Sequence, residues 1–124
     1  MLPETIVAPV TPPGEGGVAI VRLSGPQALV ALGRVFRGKL ATDAMVSHHL
    51  YHGHLISVSG DLVDEVLAVV MRAPHSYTGE EVVEVHCHGG TQTLRSVLDL
   101  FLQEGIRMAA PGEFTQRAFL NGRL

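Results

Sequence analysis

The chain has 124 residues, 46% of them apolar, and a net charge of −3, which fits one domain with a core of its own and argues against a nucleic-acid-binding surface within this chain alone. Only 17% of the residues are charged, against roughly 25% in an average soluble domain, so some apolar surface is expected to lie against a partner or further chain. No stretch reaches the ~18 apolar residues of a membrane helix, and no secretory signal is visible. The single cysteine, Cys87, excludes an internal disulfide and suits a reducing, cytoplasmic setting.

The first part of the sequence predicts two strands around a glycine-rich loop. Residues 4–11, ETIVAPVT, are rich in β-branched side chains and prolines bound them, which is typical of a strand. The PPGEGG run at 12–17 predicts a loop. Residues 18–25, VAIVRLSG, predict a second strand. Alternation places three of its side chains on one face: Val18, Ile20 and Arg22.

The glycine-rich loop does not have the pattern of a nucleotide-binding loop. Both phosphate-binding loops and dinucleotide fingerprints lead from glycines into a helix, whereas here a predicted strand follows. A phosphate-binding loop also needs Gly-Lys-Ser/Thr, and the only lysine is Lys39. We therefore expect a tight loop whose glycines adopt positive φ or admit a neighbouring backbone.

The middle of the sequence predicts a helix and a hairpin. Ser24-Gly25-Pro26 marks a helix entry, and Gly38 is its predicted end. The helical stripe is Leu29, Leu32 and Phe36. Residues 49–58 and 62–74 predict two strands of an antiparallel hairpin, because Ser59-Gly60-Asp61 is a turn sequence between them.

The last part predicts a strand, a helix, a short extended piece and a terminal helix. Residues 80–90, EEVVEVHCHGG, predict the strand. Thr91 is predicted to cap the following helix and Gly105 to end it, with a stripe of Leu94, Val97, Leu98, Phe101 and Leu102. Residues 106–113 are predicted to be extended before the terminal helix. The whole pattern predicts an α+β domain over residues 1–124, a mixed or antiparallel sheet with two main helices packed on it.

The EVHCHGG segment is the sharpest candidate site, and three interpretations are open. On a strand, Glu84, His86 and His88 share one face. A metal is one option. Alternate strand residues lie roughly 7 Å apart, so usually two of the three could share an ion and a further ligand would have to come from elsewhere; His52 or His54 on the neighbouring hairpin could supply it. The second option is a half-solvated polar face. The third is an organic ligand held by Glu84, because a carboxylate accepts two parallel hydrogen bonds from an amidine-like edge such as that of a pterin.

The arginines and the cysteine have simpler alternatives. Arg22 interrupts an apolar strand, so it either caps the strand at the surface or reaches a ligand carboxylate. Arg117 and Arg123 could simply favour a helix C-terminus. Cys87 is predicted to point away from His86, so we expect no nucleophile with its own base and no self-sufficient transferase.

Four stretches together carry a family resemblance. The segments ETIVA, TPPGEGGVAIVRLSG, SYTGEEVVEVHCHGG and APGEFTQRAFLNGRL resemble the amino-terminal region of the MnmE (TrmE) family of tRNA-modification GTPases, over residues 4–124. In that family the last segment continues into a helical domain that carries an inserted GTPase domain. The resemblance therefore implies that this chain is a domain bounded at that border and that it does not itself hydrolyse GTP.

The resemblance implies a fold, a ligand and partners. The fold is similar to the tetrahydrofolate-binding domain of the glycine-cleavage T-proteins, and the domain dimerises and binds 5-formyltetrahydrofolate as a one-carbon donor near the dimer interface. The full protein, a homodimer, binds GTP with Mg²⁺ and K⁺. With the FAD-containing flavoprotein MnmG (GidA), it installs aminomethyl or carboxymethylaminomethyl groups on the wobble uridine of tRNAs in the cytoplasm, without a membrane.

The resemblance also implies three ligand-binding residues: Arg22, Glu84 and Arg123. Glu84 is expected to anchor the pterin ring, with Arg22 and Arg123 facing the formyl, aminobenzoate or glutamate portion. Relatives have lysine at the position of Arg123, so the charge is kept while the donor geometry changes. Two alternatives stay open: an oligomerisation scaffold to which folate is incidental, and a metal-binding module that uses His86 and His88.

Overall fold

The computed structural model describes residues 4–11 and 16–124, and within them it confirms the α+β class. The strands are β1 (Ile6–Pro9), β2 (Val18–Ser24), β3 (Phe36–Gly38), β4 (Tyr51–Ile56), β5 (Leu62–Met71), β6 (Val82–His88) and β7 (Arg107–Met108). The helices are α1 (Ala28–Val35), α2 (Thr91–Leu102) and α3 (Glu113–Leu120), with a 3₁₀ turn at Thr42–Ala44. None of the helices in this described part is long and apolar enough to cross a membrane.

The seven strands form one mixed sheet in the order β3-β4-β5-β6-β2-β1-β7. Neighbouring strands are antiparallel except for β1 and β7, which are parallel. The predicted hairpin is confirmed as β4 and β5. The register between β2 and β6 places Arg22 directly opposite Glu84, and these two residues are 62 positions apart in the sequence.

The core lies between α1, α2 and one face of the sheet. The predicted alternation of β2 and β6 is confirmed, because every second residue of each strand is buried on this side. Burying one large apolar side chain contributes about 1.5–3 kcal/mol, so this layer is the main source of stability. Its fully buried members include Val21, Leu23, Leu32, Val83, Val85 and Phe101.

The opposite face of the sheet, called the open face below, is covered at one end only. Segment 72–81 and helix α3 lie over that end, since Tyr77 and Phe114 both contact Arg22 of β2. Farther along, Val18 of β2 is 59% exposed and Leu67 of β5 is 38% exposed. The open face is therefore half covered, and on its uncovered part the apolar Val18 of β2 and Leu67 of β5 flank the polar residues of β6.

Two sequence predictions about helices are wrong in detail. The first helix ends at Val35 rather than near Gly38, because Phe36 begins strand β3 and pairs with Leu55 of β4. Thr91 is the first helical residue of α2 and not its cap; Gly90 occupies the cap position and no side chain bonds there. The third helix, α3, confirms the predicted terminal helix and is as long as α1 at eight residues.

Two glycines of the quoted motifs are required by close approaches. Gly89 donates its N–H to the Gly17 carbonyl at 3.1 Å, and a Cβ on Gly89 would overlap the carbonyl oxygen of Gly16. Gly25 has φ +137°, and a Cβ there would lie 2.6 Å from Thr5 Cα. The predicted loop at 12–17 is thus confirmed at its end, where another backbone comes close, while residues 12–15 lie outside the described ranges.

Candidate functional site

Arg22 and Glu84 form an ion pair on the open face. The Arg22 Nε donates to Glu84 Oε2 at 2.9 Å, and the terminal NH2 lies 2.8 Å from the same oxygen. The two side chains are only 19% and 17% exposed. The antiparallel register of β2 and β6 brings them together, because directly opposed residues of neighbouring strands point to the same face.

Two aromatic rings hold the Arg22 guanidinium in place. Its central carbon lies 5.0 Å from the centroid of the Tyr77 ring and 5.4 Å from that of Phe114. A guanidinium at these distances is attracted to the ring face. Tyr77 is itself fixed by a 3.0 Å hydrogen bond between its hydroxyl and that of Thr115. The sequence did not identify these aromatic partners, since segment 72–81 and the start of α3 meet only in the folded chain.

The ion pair leaves hydrogen-bonding capacity free on both partners. Within residues 4–11 and 16–124, the one side-chain hydrogen bond of Arg22 is that from Nε to Glu84 Oε2, and Glu84 Oε1 accepts none. A carboxylate can accept about four hydrogen bonds, and here Oε2 accepts a single one. The pair is therefore a preformed site that offers hydrogen-bond donors on Arg22 and an acceptor on Glu84, whose Oε1 is available to a ligand.

His86 is an unsatisfied neighbour of this pair. Its Nε2 lies 3.6 Å from Glu84 Oε1, too far for a good hydrogen bond, and this buried atom has no hydrogen-bond partner within the described ranges. A buried polar atom without a partner costs free energy, so the position favours a ligand group that supplies one. The sequence pointed to His86 only as a metal ligand.

Arg123 is not brought to the ion pair by any hydrogen bond or salt bridge of the described residues. It is exposed, just after the C-terminal end of α3, and its backbone N–H donates to the Ala118 carbonyl at 2.8 Å. Its Cγ packs at 3.5 Å from the position that a Cβ on Gly79 would take. Gly79 follows Tyr77 by two residues, so Arg123 lies beside the same segment that covers Arg22.

A cavity of about 410 Å³ opens on the same face next to this site. Such a volume is within the usual range of small-molecule sites, roughly 300–1,000 Å³. Its lining includes Val18, Leu67, His86 and His88, but neither Arg22 nor Glu84. The cavity and the ion pair therefore adjoin each other through His86 rather than coincide.

The predicted metal ligands His86 and His88 do not converge on one point. His88 donates or accepts through Nδ1 at 2.8 Å from Asp64 Oδ1, and its backbone N–H donates to Asp64 Oδ2 at 2.8 Å. The hydrogen bond to Asp64 raises the pKa of His88 above its ordinary value. His86 instead lies beside Glu84. Each histidine has its own carboxylate neighbour, and no group of three ligand atoms within the described ranges includes either of them.

Cys87 does not supply a nucleophile. It lies on the helix-covered face, 3% exposed, and its thiol contacts the Ala19 carbonyl at 3.3 Å. Burial raises its pKa to about 11, so the thiol is protonated at neutral pH and is a poor nucleophile. This confirms the prediction that Cys87 points away from His86.

A second, buried set of polar residues explains much of the terminal PGEFTQRAFLNGR segment. Arg117 is 8% exposed as a residue, and its guanidinium bonds Glu80 Oε1 at 3.1 Å and Glu113 Oε2 at 3.1 Å. Ser24 Oγ lies 2.7 Å from both Thr78 Oγ1 and Glu80 Oε1. These residues, with Asn121 bonded to the Thr78 carbonyl at 2.8 Å, form the Arg117 cluster: Ser24, Thr78, Glu80, Glu113, Arg117 and Asn121.

The Arg117 cluster is structural, because its donors and acceptors satisfy one another. It joins the end of β2, segment 72–81 and α3, and so fixes the two elements that cover Arg22. Glu113 also bonds the Arg107 guanidinium at 2.7 Å, and this bond is the main reason that the pKa of Glu113 falls to about 2. The sequence suggested only a helix-end role for Arg117, although the spacing of four from Glu113 signals a helical pair.

Comparison with known proteins identifies relatives along the whole chain. Residues 5–123 match the family described as "GTP-binding protein TrmE N-terminus". The tRNA modification GTPase MnmE of Syntrophotalea carbinolica is 55% identical over 98% of this chain and 26% of its own length. The proteins of the same name from Moorella thermoacetica and Carboxydothermus hydrogenoformans are 56% and 53% identical over 100% of this chain and 28% of theirs.

The match covers this chain fully but its relatives only in part. The chain spans about a quarter of the length of the curated relatives it matches, 26–28%. All the segments that make up the site, from strand β2 to the end of α3, fall within the matched residues 5–123. The chain belongs to the TrmE N-terminal family.

Proposed function

We propose that this chain, residues 1–124, is a folate-binding and dimerising domain of a tRNA-modification GTPase, and that it binds 5-formyltetrahydrofolate through Arg22, Glu84 and Arg123. The observation that carries the proposal is the Arg22–Glu84 pair, which is 17–19% exposed and leaves one carboxylate oxygen free. Enclosed charge pairs with unused capacity are suited to polar organic ligands. The neighbouring cavity of about 410 Å³ offers space for the less polar part of the ligand.

The pair also suggests how Arg22 and Glu84 divide the ligand between them. The pterin edge presents two parallel N–H donors, which suit both oxygens of one carboxylate. Glu84 Oε2 already accepts the Nε–H of Arg22 and lies 2.8 Å from its NH2 group, so we expect a pterin that binds across both oxygens to displace the NH2 contact. The displaced NH2 group then faces the anionic part of the ligand, while Tyr77 and Phe114 keep the guanidinium near its site.

Isothermal titration of the purified chain with 5-formyltetrahydrofolate tests the role of Glu84. A charge-assisted hydrogen bond contributes about 1.5–3 kcal/mol, or roughly 10- to 150-fold in affinity, so Glu84→Gln should bind more weakly by that factor. Asp99→Asn is the matched control, since Asp99 is an exposed carboxylate on α2, on the other side of the sheet. Equal affinity of the two variants would overturn the assignment.

The dimer is proposed from the exposed apolar residues of the open face. Val18 and Leu67 are 59% and 38% exposed, and apolar surface of this kind marks interaction sites when it is contiguous. Sedimentation velocity at several concentrations, with and without the folate, separates two outcomes. A dimer that tightens with folate supports a ligand site near the interface. A tight dimer indifferent to folate and to Glu84→Gln supports the scaffold alternative instead.

The relatives' name supports a proposal about the activity of the whole protein. Proteins called tRNA modification GTPase MnmE extend well beyond the region matched here. We propose that this chain acts with a GTPase domain that binds GTP with Mg²⁺ and K⁺, with the FAD-containing flavoprotein MnmG, and with tRNA in the cytoplasm. In this arrangement the chain supplies the one-carbon unit and the partners carry out the transfer to the wobble uridine. A likeness to the glycine-cleavage T-protein fold stays a prediction.

A further inference from the structure

Two histidines and a glutamate converge on the open face, away from the Arg22–Glu84 pair. His52 and His54 are alternate residues of β4, so they point to the same side of the sheet. Glu65 of β5 is directly opposite His54 in the register. Each of the three offers one ligand atom, and these atoms all lie within 4.8 Å of one another. The sequence analysis considered His52 and His54 only as a source of one further ligand for a metal ion bound by the Glu84, His86 and His88 face.

The three side chains have the chemistry of a transition-metal site. Two imidazoles and one carboxylate suit Zn²⁺, Cu²⁺ or Ni²⁺ better than Mg²⁺ or Ca²⁺, which prefer all-oxygen sites. With metal–ligand distances of about 2.0–2.1 Å, the ligand atoms of a tetrahedral zinc lie roughly 3.3 Å apart. The present separations of up to 4.8 Å therefore have to shrink by only about 1.5 Å at the widest.

The side chains are free to make that movement. The His52 and Glu65 side chains are 60% and 54% exposed, so rotation about their χ angles meets little packing. Their ligand atoms already lie 2.6 Å apart as a hydrogen-bonded pair, and the two imidazole rings stand edge to face, 5.5 Å between centroids and 77° apart. A metal ion would replace the shared proton of the pair and draw in His54.

A bound ion would border the cavity rather than close it. His52 and Glu65 both line the cavity of about 410 Å³, and three protein ligands leave at least one coordination position for water or a ligand atom. His86, whose Nε2 has no hydrogen-bond partner within the described ranges, lines the same cavity. The ion would thus add a positive charge at the edge of this cavity.

We propose that His52, His54 and Glu65 bind one zinc ion, or another divalent transition metal of similar ligand preference, through both imidazoles and the carboxylate. The simpler alternative is an exposed histidine–glutamate pair without a metal. The two interpretations differ in the role of His54. The His52–Glu65 pair forms without His54, which makes no hydrogen bond to either residue, whereas the metal site requires it.

Competition titration of Zn²⁺ between the purified chain and a chromophoric chelator measures the affinity and stoichiometry. Wild type should take up one equivalent, and His54→Ala and His52→Ala should each lose more than about tenfold in affinity, because even outer-shell changes cost 10- to 100-fold. His49→Ala is the control, an exposed histidine outside the sheet. In NMR spectra, Zn²⁺ should shift the imidazole signals of His52 and His54 and leave those of His49 unchanged.

Two results would overturn the site. The first is a wild-type chain that binds zinc no more tightly than the His54→Ala variant. The second is a loss of zinc affinity in His88→Ala with none in His54→Ala, which would move the ion to the Asp64–His88 pair. Because all the substituted histidines are exposed or half-exposed, circular dichroism should show every variant folded, so neither result can be ascribed to unfolding.

Discussion

Replacing Arg117 with leucine should lower the free energy of unfolding by about 3–5 kcal/mol. The Arg117 side chain is 10% exposed, and it lies 3.1 Å from carboxylates of Glu80 and Glu113 that are 13% and 11% exposed. Removing the Arg117 guanidinium leaves the enclosed Glu80 carboxylate without a cation and with only the Ser24 hydroxyl as a side-chain donor among the described residues. Glu113 keeps its bond to Arg107, so the cost falls on Glu80, and removing one partner is the costly way to break a buried pair. A whole domain has only about 5–15 kcal/mol of stability, so the effect is easily measured.

A surface pair on the same chain provides the control. Arg34 also pairs with a glutamate, Glu104, at 3.3 Å; the Glu104 side chain is 11% exposed, but the arginine is 61% exposed, so its charge lies largely in water. Exposed pairs contribute about 0–1 kcal/mol. Arg34→Leu should therefore change the stability by no more than that, although the two substitutions delete the same chemical group.

Urea denaturation followed by circular dichroism compares the variants with the wild type. The slope of the free energy against urea should stay constant while the midpoint of Arg117→Leu falls, since the surface exposed on unfolding is little changed. If Arg117→Leu loses no more stability than Arg34→Leu, the Arg117 cluster does not hold α3 and segment 72–81 in place over Arg22.

Two further predictions concern the same architecture. The Arg107 guanidinium holds the pKa of Glu113 at about 2 against an ordinary value of 4.5, so the stabilisation is fully present above about pH 4.5 and is lost as the pH falls toward 2. Urea midpoints should drop over that window more steeply in wild type than in Glu113→Gln, and parallel curves would refute the shift. Gly89→Ala should lower the free energy of unfolding by about 1–3 kcal/mol, because its Cβ would overlap the Gly16 carbonyl oxygen. The control is Gly17→Ala, whose Cβ would meet nothing within 4 Å. Equal thermal midpoints of these two variants would contradict the close approach.

Much of the fold was predictable because local patterns agree with it. The alternation of VAIVRLS and VVEVHCH placed the correct side chains on each face, since one face of each strand is buried under helices. The turn at Ser59-Gly60-Asp61 defined the β4–β5 hairpin. In both cases the sequence pattern that predicts the element lies within about ten residues: a period of two predicts the strand, and a turn sequence predicts the hairpin.

The errors in the fold come from contacts between distant residues. Phe36 continues the helical stripe in sequence, but its pairing with Leu55 of β4 draws it into a strand. Helix α1 is entered with help from Thr5, whose hydroxyl accepts the Gln27 N–H at 2.8 Å, a contact across 22 positions that no local capping pattern shows. Tertiary pairing of this kind overrides helix propensity.

The sequence singled out Arg22 and Glu84 as candidates but did not show how the fold arranges them. Arg22 stood out as a charge on an otherwise apolar strand and Glu84 as a carboxylate on the EVHCHGG strand, and the register of β2 with β6 makes them partners. Tyr77 and Phe114 gave no local signal, because their contact with Arg22 depends on where segment 72–81 and α3 lie. The convergence of His52, His54 and Glu65 likewise depends on the β4–β5 register.

A crystal structure of the chain with 5-formyltetrahydrofolate is the most direct test of ligand binding by Glu84. We expect the 2-amino and ring N–H groups of the pterin at about 2.7–3.2 Å from the Glu84 carboxylate oxygens, with the 2.8 Å contact between Arg22 NH2 and Glu84 Oε2 lost. Pterin density at another place on an uncovered open face, with the 2.9 Å bond from Arg22 Nε and the 2.8 Å contact from its NH2 both intact, would contradict it.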